Sequence, residues 1–395
     1  MEHLINQKVK NIEISGIRKF FNLVSKYDNV LSLTIGQPDF STPQHIKDAG
    51  INAIHNDHTS YTANAGIYEL RKAACQFISD KYKLLYNPDS EVIVSIGASQ
   101  GIDITFRTIL TEGDEVILPN PVYPGYEPII RLCGATPVHV DTRSSSFLLT
   151  ADLLKKYITD KTRCIVLPYP SNPTGVTLPN DEIKKIAALL KDKDIFVLSD
   201  EIYSELVFEG EHTTIASFPG MKEKTIVING VSKSHSMTGW RIGFVFGPEN
   251  VMKHMLKVHQ YNVSCATSIS QYAALQALTV GADDAITMNE TYKQRMEYVY
   301  NRLQAMGIES VKPNGAFYIF PSIEQFGLSS FDFAVKLLEE AKVAVVPGSA
   351  FSTCGEGYIR LSYACDMETL IKAMDRLEQL TLSLKQKSKN KFPYV

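Results

Sequence analysis

Lys233 lies in the run Gly230-Val231-Ser232-Lys233-Ser234-His235-Ser236-Met237-Thr238-Gly239-Trp240-Arg241-Ile242-Gly243, where small and hydroxylated residues surround one amine and an arginine follows eight positions on. A neutral amine bonds covalently to an aldehyde, while hydroxyls and a guanidinium grip a phosphate. A ligand carrying both groups is held at two ends by this one window. The competing reading, a solvated lysine in a polar loop, is the usual fate of a lone lysine, so other segments must decide.

Pyridoxal phosphate carries that pair of groups, and its ring adds a pyridine nitrogen and a 3′-oxygen that need partners. Asp200 directly follows the apolar run Phe196-Val197-Leu198-Ser199. A buried carboxylate there can keep the pyridine nitrogen protonated, which makes the ring an electron sink; a helix N-cap is the alternative use. Three residues on, Tyr203 can place its phenol against the 3′-oxygen, or simply pack. In Pro170-Ser171-Asn172-Pro173-Thr174-Gly175 the prolines and glycine freeze a turn around Asn172, whose amide can serve the 3′-oxygen and a substrate carboxylate. Ser95-Ile96-Gly97-Ala98-Ser99-Gln100-Gly101 joins a strand to a helix through small residues, a backbone geometry that cradles phosphate. Tyr123, among Pro121, Pro124 and Gly125, can stack on a flat ring or merely stiffen a turn. Arg360 interrupts the apolar run Tyr358-Ile359-Arg360-Leu361 and needs an anion, either a protein carboxylate or a substrate α-carboxylate. Gly36-Gln37-Pro38-Asp39 is a tight turn where bare backbone at Gly36 can approach a ligand.

The elements that position these residues read as a mainly parallel sheet. Apolar runs rich in Val and Ile predict strands at 91–96, 115–118, 136–140, 163–167, 195–199, 225–229 and 241–246. Their near-continuous hydrophobicity fits strands buried on both faces under covering helices, one of them at 180–191 with Pro179 at its start. Ligands of such sheets bind beyond the carboxyl ends of the strands, where most of the candidates fall. Residues 251–303 read as mostly helical. The pattern then restarts with a strand at 316–320, a helix at 331–341 and strands near 343–346 and 357–362, as in a smaller α+β domain. Residues 46–290 are therefore expected to form a large cofactor-binding domain and 291–395 a small C-terminal domain that residues 1–45 join, with 385–395 a loosely held basic tail.

Bulk properties exclude several classes. With 395 residues, 44% hydrophobic, 21% charged and a formal net charge of −3, the chain is long enough for two domains and has no charge bias towards nucleic acid or a membrane surface. Its six cysteines are scattered without a paired motif, which points to reduced thiols, no metal site and a cytoplasmic enzyme. The turn at Gly97–Gly101 lacks the spacing of a dinucleotide fingerprint, which argues against an NAD-linked dehydrogenase.

Taken together, in order along essentially the whole chain, these segments and Tyr61-Thr62-Ala63-Asn64-Ala65-Gly66 resemble the class I/II pyridoxal phosphate-dependent aminotransferases of fold type I. The resemblance implies Lys233 as Schiff-base lysine and general base, Asp200 on the pyridine nitrogen, and Tyr203 and Asn172 on the 3′-oxygen. Ala98, Ser99, Ser232 and Arg241 are implied at the phosphate and Tyr123 on the ring. Arg360, Asn172 and the Gly36 backbone are implied at the substrate α-carboxylate. It further implies a homodimer with shared sites, in which Tyr61 reaches the neighbour's phosphate. Aspartate-preferring members often carry lysine where this chain has Ser99, and tryptophan where it has Tyr123, which counts against aspartate as donor. The chain is similar to bacillus-type enzymes of N-acetyl-LL-diaminopimelate transamination in lysine synthesis, with 2-oxoglutarate the expected acceptor and a ping-pong mechanism. Aspartate or aromatic donors are alternatives. So are a C–S β-lyase and a non-catalytic regulatory module, although no basic helix-turn-helix precedes residue 50.

Overall fold

The computed structural model describes residues 1–391. Its strands, in chain order, are β1 (Leu31–Ser32), β2 (Val92–Ser95), β3 (Glu115–Asn120), β4 (Thr136–Asp141), β5 (Thr162–Leu167), β6 (Phe196–Asp200), β7 (Thr225–Gly230), β8 (Gly243–Phe246), β9 (Tyr318–Ile319), β10 (Val343–Ala344), β11 (Val346–Pro347) and β12 (Ile359–Ser362). A seven-stranded sheet runs in the order β2-β8-β7-β6-β5-β3-β4. The pairs from β7 through β4 are parallel, and β8 runs antiparallel to both β2 and β7. The fold is thus the expected α/β class, with smaller sheets beside the large one.

Why these runs become central strands follows from the period-2 alternation of side chains. Val116 and Leu118 point into one apolar layer and Ile117 into the other; Leu198 and Val197 divide in the same way. Each layer is closed by helices, with Ile102, Phe106, Met252 and Met255 on one side and Leu154, Ile183, Ile186 and Leu190 on the other. Fully burying one such side chain stabilises the fold by roughly 1.5–3 kcal/mol. The long helix Ala285–Ala305 buries Met288, Tyr292, Met296, Val299 and Leu303, a stripe at three- and four-residue spacing, against the third layer. That layer also holds β9, β10, β12 and the ring of Tyr203. β1 pairs in parallel with β10, which carries the N-terminal segment to the C-terminal one.

Four sequence expectations need correction. The strand expected from Arg241 begins at Gly243, because Arg241 adopts a left-handed conformation (φ 56°) that breaks the extended path. Ala316 does the same (φ 56°), so the strand expected from 316 begins at Tyr318. The single strand expected at 343–346 is two short ones in different sheets, β10 with β1 and β11 with β12. The basic stretch from 385 continues the helix Met367–Lys391 rather than forming a loose tail, and 392–395 lie outside the described residues. Among the described residues no helix is long and apolar enough to cross a membrane.

Candidate active site

The carboxyl ends of β5, β6 and β7 open into a cleft of about 1290 Å³ that is lined by every sequence-derived candidate except Tyr61. Tyr61 is 88% exposed and stands outside it. A smaller cavity, about 180 Å³, opens beside His212 and contains none of the candidates.

Lys233 stands in the short helix Val231–Ser234 that β7 leads into. Its Nζ donates a hydrogen bond to the Gly36 carbonyl at 2.6 Å and lies 5.8 Å from the ring centroids of both Tyr203 and Phe317. Burial, and then repulsion from Arg360 and Arg241, lowers the amine's pKa to about 8, with Asp200 pulling the other way. Near neutral pH a usable fraction of this amine is therefore unprotonated and nucleophilic.

Asp200 ends β6 and is buried. Its Oδ2 accepts from the Tyr126 hydroxyl at 2.6 Å and its Oδ1 from the Ile202 N–H at 3.3 Å. No helix follows directly, so Asp200 is not an N-cap. Burial pushes its pKa up to about 6 against the pull of those two hydrogen bonds. The neighbouring acid, Glu201, is committed elsewhere: it accepts from Ser199 at 2.7 Å and pairs with His212 Nε2 at 2.9 Å. That leaves Asp200 as the acid of this strand end that lines the cleft.

Arg360 is 2% exposed and has no carboxylate partner among the described residues. Its Nη1 donates to Asn172 Oδ1 at 2.9 Å and its Nη2 to the Thr34 carbonyl at 2.7 Å, while Nε has no partner. A buried guanidinium left without a counter-charge is costly, so the site is made for an incoming anion. The protein-carboxylate alternative for Arg360 thus falls away.

At the far end of the cleft, the helix Gly97–Ile109 opens towards Arg241. The first N–H groups of a helix have no intrahelical acceptor and favour an anion. Gly97 has φ 71°, and a side chain there would collide with the Arg241 guanidinium. Any Cβ at Gly243 would run into the Gly97–Ala98 backbone. Small residues therefore let the guanidinium, the helix start and Ser232 converge, which is the donor set of a phosphate cradle. Tyr123, 36% exposed, lies edge-on to Tyr126 with centroids 5.6 Å apart.

An aldehyde-reactive amine, an acid for a ring nitrogen, a phenol for a ring oxygen and a phosphate cradle fit pyridoxal phosphate. Two cleft residues escaped the sequence reading. Tyr126 begins the helix Tyr126–Leu132 and anchors Asp200. Tyr318 meets Tyr203, hydroxyl to hydroxyl, at 3.0 Å. Each sits in an apolar neighbourhood that reads as packing; only Tyr126, three residues after Tyr123, carried a spacing hint.

Residues 28–377 match the family described as Aminotransferase class I and II. The chain is 61% identical over 386 residues, 98% of each chain, to the probable N-acetyl-LL-diaminopimelate aminotransferase of Bacillus subtilis. It is 41% identical over 380 residues to an aspartate aminotransferase of Pyrococcus abyssi, covering 95% of this chain and 98% of that one. The solved aspartate aminotransferase of Thermus thermophilus with maleate superposes with a TM-score of 0.90 at 34% identity, over 95% of this chain and 99% of that one.

Proposed function

The chain belongs to the class I and II aminotransferases, and on that premise we propose that it uses pyridoxal phosphate to move an amino group from N-acetyl-LL-diaminopimelate to 2-oxoglutarate, by a ping-pong mechanism, in lysine synthesis. The observation that carries the reading is a partly neutral lysine on the floor of a cleft it shares with a buried, carboxylate-free arginine and a buried acid. The donor rests on the Bacillus subtilis relative, and the Ser99 and Tyr123 positions agree in counting against aspartate.

Pyridoxal phosphate, when bound, supplies the carbonyl for amine exchange and a protonated ring that takes up the electron pair released at Cα. Lys233 Nζ would hold its aldehyde carbon and, as a free amine once substrate has taken that place, would take the substrate's Cα proton. Asp200, held by Tyr126, keeps its carboxylate aimed at the pyridine nitrogen. Tyr203 and Asn172 donate to the 3′-oxygen, and Tyr123 supports the ring face. Ser232, Arg241 and the backbone at Ala98 and Ser99 hold the phosphate. Arg360, with Asn172 and the Gly36 backbone, takes the substrate α-carboxylate as a two-pronged donor.

Tyr61 lies outside the cleft and is exposed, which supports a homodimer in which it reaches the neighbour's phosphate. We place the enzyme in the cytoplasm and divide it into a large domain at 46–290 and a small one at 291–395 joined by 1–45. The test is to supply cofactor-loaded protein with N-acetyl-LL-diaminopimelate and 2-oxoglutarate. Glutamate should form in step with donor consumption, and faster than with aspartate or tyrosine. Faster turnover of aspartate contradicts the donor assignment, and pyruvate release from cystathionine in place of transamination points to a C–S β-lyase.

A further inference from the structure

Tyr203 and Arg360 reach the cleft from different sheets, yet one side chain touches both. Tyr203 follows β6 of the seven-stranded sheet, whereas Arg360 lies in β12 of the three-stranded sheet β11-β12-β9. Antiparallel pairing sets Ser362 opposite Tyr318 on β9, so Arg360, two residues along, projects from the same face as Tyr318. The Arg360 guanidinium carbon lies 4.4 Å from the centroid of the Tyr318 ring. The Tyr318 hydroxyl lies 3.0 Å from that of Tyr203. Tyr318 itself is fully buried (0%), and a Cβ at Gly36 would come within 3.2 Å of its hydroxyl. The same Gly36 offers its carbonyl to Lys233.

We propose that Tyr318 is a positioning residue with two tasks: its hydroxyl donates to the Tyr203 oxygen, freeing the Tyr203 proton for the cofactor's ring oxygen, and its ring seats the Arg360 guanidinium for the substrate carboxylate. The inference rests on the function proposed above. The argument for the first task is a count of protons. Each phenol has one, and the Tyr203–Tyr318 hydrogen bond consumes one of the two. An ionised ring oxygen only accepts, so Tyr203 serves it only if Tyr318 is the donor within the pair. The second task follows from Arg360 having one nitrogen unpartnered and no carboxylate beside it, so that the aromatic face beneath it is part of what fixes its plane. One residue thereby ties the group that reads the substrate to the group that holds the cofactor.

Two variants separate the tasks. Tyr318→Phe keeps the ring and removes the donor; Tyr318→Leu removes both. The first readout is the midpoint of the pH titration of the bound cofactor's absorbance, which needs no turnover. A Tyr203 hydroxyl that accepts from Tyr318 is a stronger donor to the ionised ring oxygen. Tyr318→Phe therefore weakens that donation, disfavours the ionised form and should move the midpoint upward by about a few tenths of a unit, with donor KM within about threefold of wild type. Tyr318→Leu should show the same displacement and raise the KM of every amino acid donor by about tenfold. An unmoved midpoint in Tyr318→Phe, or an unchanged donor KM in Tyr318→Leu, overturns the proposal. If Tyr318→Leu fails to fold, the Phe variant decides alone, because a general rise in its donor KM also contradicts the separation. Wild-type protein that takes up no cofactor defeats the functional reading itself, which is a distinct result from wild-type uptake with an unmoved Phe variant.

Discussion

The inner wall and the outer lip of the cleft are made differently. On the wall, Asp200 is held by Tyr126 and Ile202, Tyr203 by Tyr318, and Asn172 and Arg360 by each other, all before any ligand arrives. On the lip, Ser99, Tyr123 and Arg241 face solvent, and Tyr61 stands free of the cleft altogether. The wall belongs to strand ends and the core of the small sheets, where geometry is fixed by packing. The lip belongs to a helix start and loops, whose donors, on the function proposed above, would meet a phosphate or a second subunit. The difference teaches that turnover should be lost at the wall and cofactor retention at the lip.

The largest break in that comparison is Lys233→Ala, which should cost more than about 10³-fold in kcat while the lip still retains cofactor without a covalent bond. Arg360→Gln should follow, raising the KM of all amino acid donors alike by about two orders of magnitude; damage confined to one donor would mean that Arg360 reads a side chain. The same change sharpens the account of Lys233, whose pKa near 8 depends in part on Arg360. Only the neutral amine attacks a carbonyl, so cofactor uptake by stripped protein should accelerate as pH rises through about 8. Removing a neighbouring positive charge favours the protonated amine, so in Arg360→Gln that midpoint should move upward, measurable by stopped-flow absorbance. Arg241→Gln, on the lip, should weaken cofactor binding about tenfold with kcat of the saturated enzyme within about threefold. Smallest of all, Tyr61→Phe should raise the cofactor dissociation constant by about threefold; an equal loss of kcat there would erase the distinction between wall and lip.

Much of the wall was legible in the sequence because its residues contradict their surroundings. An acid closing an apolar strand and an arginine inside one each need a partner, so Asp200 and Arg360 stood out, and the structure removes their competing uses as an N-cap and a protein ion pair. The strands were legible for the converse reason, since unbroken Val/Ile runs leave few alternatives to a buried sheet. Tyr126 and Tyr318 were hidden because a tyrosine beside a Pro/Gly turn, or in an apolar stretch, agrees with its surroundings. Their hydroxyls gain meaning only from Asp200 and Tyr203, 74 and 115 residues away in sequence. Arg241 lines the cleft as the sequence suggested but is not part of a strand, because its left-handed backbone belongs to the turn that brings it to Gly97. At the C-terminus the charged and polar run from 385 reads as a loose tail, yet it continues the helix Met367–Lys391.

The central claim is that Lys233 carries the cofactor on a wall prepared to receive it. Borohydride reduction of the cofactor-loaded protein, followed by peptide mass spectrometry, tests it directly. The account predicts a phosphopyridoxyl group fixed on the peptide bearing Lys233 and absent in Lys233→Ala. Attachment at another lysine, or no attachment to protein that has demonstrably bound the cofactor, would contradict it.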